Sequence, residues 1–438
     1  MQDKMRHAAE QSLGLARKAG AQDAWVSVSR SRDVTHEYRD GKLEKVKDAT
    51  SLALSIELYV DGRYASHSTT DLREPSLAGF IANAVSLTRA LQPDPYRRIT
   101  PPELFKGRAD RDLQLLDPAI RDLAPAQRLA WCKELDEGIR GDKRLISASC
   151  AVYDGSSRSL SVSSNGFHGE QTGTSIWMGA DLTFRDRGDR RASGDFYPGA
   201  RRLSDMPTVQ NIARKALERV RQRLGVTKGP SQKGYMVVDA RAAGRLISSL
   251  VSPASAQALQ QKRSFWMGQL GKMMFSEQLT LVDDPLLLRG LGSRLYDSEG
   301  IAARPLTLVD KGVVQNIYAD TYYGRKLKMA PTTGSRSNLL MKPGSSSLKD
   351  LLAAAGEGIY VTSWLGGNAD NTTGEFSLGL RGHLIRNGKI AEPVGEMNVT
   401  GSLKELFGNL VALGNDPWPY SSLRAPSMMF EGVSFSGA

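Results

Sequence analysis

The fold is decided by residues 364–416, WLGGNADNTTGEFSLGLRGHLIRNGKIAEPVGEMNVTGSLKELFGNLVALGND. Apolar and polar residues alternate over FSLGLR, residues 376–381. A period of two predicts a β-strand with one buried face. Asn387-Gly388 follows between the short apolar runs HLI and KI. Because both residues of an Asn-Gly pair tolerate a positive φ, the pair predicts a two-residue hairpin turn and a β-rich scaffold.

Turn-forming residues precede this strand. Gly366-Gly367-Asn368 and the run NTTG at residues 371–374 tolerate the backbone conformations of tight turns. We interpret them as a glycine-lined approach to an exposed strand. Turns that merely join sheet strands explain the same residues.

Length and composition limit the class of protein. A chain of 438 residues is too long for one typical core, so two or three domains are expected. No apolar run approaches the length of a membrane span, and residues 1–20 predict an amphipathic helix rather than a secretory signal. With Cys132 and Cys150 as its two cysteines, the chain has no disulfide framework, which indicates a reducing cytoplasm.

The charge is positive and uneven. The formal net charge is +11, and arginines concentrate over residues 185–223. Such a basic surface can attract nucleic acid, an acidic peptide or an acidic partner subunit. Aromatic residues do not alternate with these arginines as a single-strand stacking platform requires, so a solvated helix face with a basic loop is the simpler interpretation.

Proline- and glycine-rich stretches divide the chain. Residues 93–125 contain six prolines, and residues 225–234 are rich in Gly, Lys and Pro. We predict an α+β fold, in which two N-terminal segments of helix–strands–helix type precede a mostly antiparallel β domain. The predicted division is a helix/β-hairpins/helix domain at 1–92, a linker at 93–124, a helix/strands/helix domain at 125–224, a linker at 225–234 and a β-rich domain at 235–438.

Within the third domain, strands are predicted at 235–238, 278–282, 301–308 and 312–319. Ser347 and Asp350 have the spacing of a capping box and predict a short helix. Ser402 and Glu405 repeat that spacing and predict a helix beginning at Leu403.

The chain resembles the TldD/PmbA (TldE) family, and within it the PmbA/TldE branch. The resemblance is carried by residues 366–416 quoted above, by QKRSFWMGQLGKMMFSEQLTLVDDP at 261–285 and by YRDGKLEKV at 38–46. These blocks occur in the family's order across nearly the whole chain. The resemblance implies that the chain pairs with a TldD-like zinc peptidase.

The zinc motif of the catalytic TldD-type chains, His-Glu-x-x-x-His, is replaced here. Aligned through residues 261–285, the motif falls on SPASAQ, so its two histidines become Ser252 and Gln257 and its general-base glutamate becomes Pro253. A catalytic zinc needs about three His, Cys or carboxylate ligands. The family's distal cysteine ligand is also missing, because both cysteines precede residue 151. We therefore expect no metal and no catalytic residues in this chain, with zinc on the partner alone.

Other chemistry has weaker support. Asp283-Asp284 has the composition of a hard-cation site, but two acids before Pro285 are more typical of a turn. Ser346 and Lys349 match Ser-x-x-Lys, which Ser347 as a helix cap explains equally. The sequence contains no nucleophile elbow, P-loop or dinucleotide fingerprint.

Three functions follow as hypotheses. The first is a non-catalytic TldE/PmbA-like subunit of a heteromeric zinc peptidase that degrades or matures unfolded or leader peptides. In it, an extended peptide would contact a set of exposed residues: Gly366, Gly367, Asn368, Thr373 and Phe376. The second is a nucleic-acid-associated, gyrase-modulator-like regulator that uses residues 185–223. The third is a stand-alone peptidase with an unrecognised site. Homo-oligomerisation is an alternative to the heteromer.

Overall fold

The structure, a computed structural model, describes residues 2–437, so Met1 and Ala438 at the outer ends of the predicted first and third domains lie outside it. Short 3₁₀ turns occur at Pro102–Phe105 and Leu203–Asp205. The helices are α1 Gln2–Lys18, α2 Glu74–Arg89, α3 Pro118–Arg121, α4 Pro125–Ile139, α5 Val209–Arg221, α6 Ala240–Val251, α7 Ala256–Gln260, α8 Thr321–Leu327, α9 Leu348–Ala355 and α10 Leu403–Gly408.

Strands dominate the described residues. The first seven are β1 Asp23–Arg39, β2 Lys42–Val60, β3 Arg63–Thr69, β4 Leu145–Ser163, β5 His168–Arg185, β6 Arg191–Phe196 and β7 Gly199–Ala200. The remainder are β8 Thr227–Lys228, β9 Gln232–Val238, β10 Leu281–Asp283, β11 Leu306–Asp310, β12 Val313–Val314, β13 Leu339–Met341, β14 Gly358–Ala369, β15 Glu375–Arg386, β16 Lys389–Ser402, β17 Leu410–Leu413, β18 Leu423–Arg424 and β19 Met428–Ser436. This confirms the predicted α+β class.

One sheet, called the first sheet below, contains the strands of both N-terminal segments. Its order is β3-β2-β1-β4-β5-β6, with β7 beside β5. Strand β1 pairs with β4 along nearly all of its length, from Trp25 opposite Ser163 to Arg39 opposite Ser149. Helices α1 and α2 cover one end of this sheet, and α4 and α5 cover the other. The two segments therefore share a backbone scaffold.

The C-terminal half closes into a barrel. Strands β9, β14, β15 and β16 follow one another, and β19 pairs with both β9 and β16. The closing pairs are Asn398 with Ser436 and Val399 with Phe435. Because the side chains alternate across each strand, Phe376, Leu378 and Leu380 point into the barrel core. A smaller sheet, β12-β11-β10-β13-β18, packs beside it on the same core.

Several local predictions are confirmed. Asn387 and Gly388 have φ of 50° and 71°, which are the values that the Asn-Gly hairpin requires. Ser347 and Asp350 form the capping box of α9, with Ser347 Oγ accepting from the Asp350 amide at 3.2 Å. Helix α10 begins at Leu403 as expected, but Ser402 makes no side-chain cap. The Leu403 amide donates instead to the Gly374 carbonyl at 2.8 Å.

Strand bounds in the third domain differ from those predicted. The strand expected at 301–308 occupies 306–310, because the Ala302 and Ala303 amides donate to the carbonyls of Leu104 and Leu295 in other segments. The strand expected at 312–319 is limited to Val313–Val314, and the Tyr318 amide donates to Ala254. In both predicted strands, hydrogen bonds to loop residues thus replace the hydrogen bonds between strands. No helix among the described residues is long and apolar enough to cross a membrane.

Candidate functional site

Residues 252–257, which the family resemblance aligns with the zinc motif, lie at a break between two helices. Helix α6 ends at Val251, and α7 begins at Ala256 with Ser255 as its N-cap, whose Oγ accepts from the Ala258 amide at 3.2 Å. Pro253 sits in the break, and since it has no amide hydrogen it cannot continue the helical ladder. Its carbonyl accepts from Ser264 Oγ at 2.7 Å. The chain therefore turns where a metal-binding helix would need to continue.

The three side chains differ in exposure. Ser252 and Gln257 are exposed, whereas Pro253 is buried. Ser252 Oγ accepts from Asn371 Nδ2 at 3.4 Å. A hydroxyl, a carboxamide and a pyrrolidine ring do not make a zinc donor set, and the described residues contain no group of three or more His, Cys, Asp or Glu placed to hold a metal. These residues do not fit a zinc ion.

The tip of the β14–β15 hairpin lies against this helix break. The Phe265 amide donates to the Asn371 carbonyl at 3.0 Å, and the Trp266 indole Nε1 donates to the Leu250 carbonyl at 2.9 Å. A Cβ added at Gly374 would lie 3.3 Å from the Phe265 ring. The segment after α7 therefore holds the hairpin tip and the end of α6 on one face of the molecule.

Four of the five predicted peptide-contacting residues are exposed near that tip. They are Gly366, Gly367, Asn368 and Thr373. Phe376 differs, because it is 6% exposed and its ring packs in the barrel core. Because its ring is buried, Phe376 could affect peptide binding only indirectly, through the position of strand β15. The peptide-binding role of the other four residues stays a prediction.

The outer half of β14 offers partly open backbone. Strand β9 pairs with β14 only from Gly358 to Val361, and two register shifts interrupt the pairing of β14 with β15. Helix α6 lies beside the remaining half, where Trp364 Nε1 donates to the Ala242 carbonyl at 2.9 Å and Arg245 Nη2 donates to the Gly367 carbonyl at 2.7 Å. An extended peptide adding to this edge would compete with the Arg245 contact.

Asp283 and Asp284 have separate roles. Asp284 Oδ1 accepts from the Leu286 amide at 2.8 Å, as the turn interpretation predicts. Asp283 is 1% exposed and accepts from the Ser337 amide and hydroxyl. Burial and the Asp283 charge raise the pKa of Tyr318. Asp283 also lines a cavity of about 300 Å³ with Arg294 and Asp297, a feature that the sequence did not suggest because its lining comes from distant segments.

The other nucleophile candidates have structural roles. Ser346 and Lys349 flank the α9 cap, where Ser347 Oγ also donates to Asp350. Cys132 and Cys150 are both buried, and burial raises the pKa of Cys132 to about 12. A thiol held protonated in this way is a poor nucleophile.

The arginine-rich run divides into paired and unpaired groups. Arg214 and Arg221 form ion pairs with Glu218 and Asp142. Arg223 points inward and donates to the Ser193 carbonyl at 2.5 Å. A second cavity of about 210 Å³ opens beside Arg223, between the first sheet and the barrel. The sequence shows the positive charge of this run. It does not show that Arg223 points inward, because that direction depends on how α5 packs.

Comparisons with known proteins cover the whole chain. The PmbA/TldA metallopeptidase domain 1, central domain and C-terminal domain match residues 26–88, 118–224 and 231–437. The metalloprotease PmbA of Escherichia coli O157:H7 is 27% identical over 433 residues, which are 97% of this chain and 95% of that protein. A metalloprotease PmbA homolog of Haemophilus influenzae is 26% identical over 440 residues, covering 100% of this chain and 97% of that protein.

Solved structures agree with this match. A Bacteroides thetaiotaomicron protein, described as a candidate modulator of DNA gyrase, has a TM-score of 0.95 and 39% identity, with 99% of each chain covered. TldE from Thermococcus kodakarensis has a TM-score of 0.87 at 19% identity, covering 98% of this chain and 100% of that one, which is a likeness of fold alone.

Proposed function

Because the chain belongs to the PmbA/TldD metallopeptidase family, we propose that it is the TldE-like, non-catalytic subunit of a heteromeric zinc peptidase. The observation that carries this proposal is the set of side chains at the motif positions, Ser252, Pro253 and Gln257. They supply neither metal ligands nor a general base. The cleavage of unfolded or leader peptides would then depend on a TldD-like partner that carries the zinc.

In this proposal, the chain contributes a surface that holds substrate. The outer half of β14 presents main-chain groups on one side, and the exposed residues Gly366, Gly367 and Asn368 leave room for a peptide backbone to approach. Main-chain hydrogen bonding of this kind depends little on side-chain sequence. Such tolerance suits a peptidase that acts on varied unfolded segments.

The test is expression of the chain alone and together with a family member that carries His-Glu-x-x-x-His. We expect the chain alone to bind no stoichiometric zinc and to leave an unfolded casein substrate intact. The co-expressed pair should purify as a heteromer by mass, contain zinc and cleave casein in a chelator-sensitive manner. A matched control replaces the partner's motif glutamate with glutamine, which should leave assembly intact and remove cleavage.

Two results would contradict the proposal. Chelator-resistant casein cleavage by the chain alone would favour a stand-alone peptidase. Failure to associate with any such partner, together with a homo-oligomeric mass, would favour a separate role for this chain.

A further inference from the structure

The cavity of about 210 Å³ between the first sheet and the barrel has a basic lining. The residues that line it include Arg190, Arg191, Arg223, Leu365, Arg381 and Glu396. They come from the end of the β5–β6 turn, the start of β6, the residues just after α5, and strands β14, β15 and β16. The cavity therefore forms only when the chain is folded.

Positive charge in this cavity exceeds negative charge. Four guanidinium groups face two carboxylates, those of Asp186 and Glu396, which leaves a net charge of +2 from 4 − 2. Both Asp186 oxygens accept from the Gly225 amide, at 3.0 Å and 2.9 Å. Among the side chains that the structure describes, no ion pair joins any of the four arginines to an acidic residue. Arg223 and Arg381 are partly buried, whereas Arg190 and Arg191 are exposed, and a local surplus of positive charge of this kind favours an anion.

Arg223 and Arg381 form the inner part of the lining. Arg223 donates to the Ser193 carbonyl at 2.5 Å and to Ser363 Oγ at 3.4 Å. Burial lowers the pKa of Arg223, the charge of Asp195 opposes this shift, and the charges of Arg381 and Arg241 add to it. The Arg381 guanidinium has no hydrogen-bond acceptor among the described side chains. Its donors are available to a ligand.

The wall beside Arg381 contains strained backbone, on the neighbouring strand β16. Glu396 has a φ of 54°, a left-handed conformation that a non-glycine residue rarely adopts. Such conformations persist where the surrounding structure enforces them, and they cluster at binding sites. Here the strained residue is an exposed acid at the cavity wall, in the middle of β16.

The cavity also adjoins the proposed substrate edge. Leu365 lines it, and Gly366 and Gly367 follow directly in β14. A peptide lying along the outer half of β14 would therefore pass the mouth of the cavity. A side chain or chain end leaving that peptide could enter it.

We propose that this cavity binds a carboxylate of an extended peptide, either an acidic side chain or the C-terminal carboxylate, while the peptide main chain lies along the outer half of β14. This inference rests on the proposed function and adds a preference for acidic substrate segments. One or two carboxylates balance the local charge of the lining. A nucleic-acid strand fits less well, because Asp186 and Glu396 would repel its successive phosphates.

The experiment measures the binding of labelled peptides to the full chain by fluorescence anisotropy at low salt. The first probe is a short peptide of alanine, threonine and serine with one central glutamate and an amidated C-terminus. A second probe has glutamine in place of glutamate, and a third has glutamine with a free C-terminal carboxylate. Labelled oligothymidylate is the fourth probe. The second and third probes separate the two sources of carboxylate.

We expect the glutamate probe, the free-carboxylate probe or both to bind about tenfold more tightly than the neutral probe, the effect of one charge-assisted hydrogen bond. R381Q should remove this preference and R381K should retain part of it, because lysine keeps the charge but not the forked donors. R187Q is the matched control, since Arg187 is exposed in the same run and does not line the cavity. It should behave as wild type.

Equal binding of charged and neutral peptides would overturn this inference, and so would binding of none of the peptides. A preference that persists in R381Q while R381K is also unchanged would place the anion elsewhere and overturn it as well. Tighter binding of oligothymidylate than of either carboxylate-bearing peptide would assign the cavity to a phosphate backbone and overturn the inference too. None of these results bears on whether the chain assembles with a zinc peptidase, which is measured separately by mass and co-purification.

Discussion

Two long hairpins of this molecule are built in contrasting ways. Strands β1 and β2 pair from Asp23 opposite Tyr59 to Arg39 opposite Lys42, with one register shift near the tip. Their turn, Asp40-Gly41, is held by a neighbouring strand of the same sheet, where the Ala148 amide donates to Asp40 Oδ1 at 2.8 Å. The β14–β15 hairpin contains two register shifts within a shorter ladder. Its tip is held by the separate segment that follows α7.

The two hairpins therefore differ in role: the β1–β2 hairpin supports the fold, and the β14–β15 hairpin lies at the candidate site. A regular ladder fixes its strands by repetition, so one lost contact changes little elsewhere. The β14–β15 tip depends on a few specific contacts, and it lies next to the replaced zinc-motif positions and the proposed substrate edge. Irregular backbone of this kind is typical of binding regions supported by a rigid scaffold.

The largest expected effect comes from adding a methyl group at each hairpin. In G367A, the new Cβ would lie 2.0 Å from the Ser377 carbonyl oxygen at a φ of 87°, and we expect the free energy of unfolding to fall by about 3 kcal/mol. In G41A, the Cβ meets only the movable Arg140 side chain at a φ of 85°, so a fall of about 1 kcal/mol is expected. Urea unfolding followed by circular dichroism measures both. Equal losses would remove the contrast between the two hairpins.

A smaller effect is expected from the indole behind the tip. Trp266 is 1% exposed, and W266F leaves the buried Leu250 carbonyl without its donor, at a cost of about 2 kcal/mol. W364F is the control, because it also removes one indole bond, to Ala242, but at a half-buried position where water can replace the donor. Its loss should be below about 1 kcal/mol. A larger loss of unfolding free energy in W364F than in W266F would mean that the hairpin is held mainly at its middle and not at its tip.

The smallest effect is a pH response of the tip itself. The Thr373 and Thr372 amides donate to Asp370 and hold the pKa of that carboxyl below its usual range. The stabilisation is therefore fully present above the carboxyl's unfolded pKa, and it is lost as the pH falls through the lower folded value, below about pH 4. Hydrogen exchange of residues 370–374, corrected for intrinsic rates, should accelerate there.

One control accompanies that measurement. D370N should flatten the response at residues 370–374, because asparagine does not titrate. An acid response that survives in D370N would assign the opening to other carboxyl groups.

Short-range sequence patterns predicted a hairpin turn and a helix cap correctly. Asn387-Gly388 and the Ser347–Asp350 capping box depend on neighbouring residues alone, and both are confirmed. The pairing of β1 with β4 could not be predicted in this way, since the two strands are separated by more than a hundred residues that include the proline-rich stretch. The closure of the barrel by β19 is likewise a long-range pairing.

The site was only partly accessible from sequence. Alternation predicted that Phe376 lies on a strand, but not that its ring belongs to the core rather than to a peptide surface. The family resemblance aligned the zinc motif with residues 252–257, but the sequence did not indicate the cavity between the first sheet and the barrel. Arg223 and Arg381 meet there from positions far apart in the chain, and charge patterning along a sequence contains no such information.

Strand β19 lies between β9 and β17 and also closes the barrel onto β16, so the C-terminal half has no complete core before this segment is in place. During synthesis, the first sheet can assemble as soon as β7 has left the ribosome, while β9 and β14–β16 wait with an open seam. The first sheet would thus be finished before the barrel. The proposed peptide-binding edge would form only after β19 has been translated.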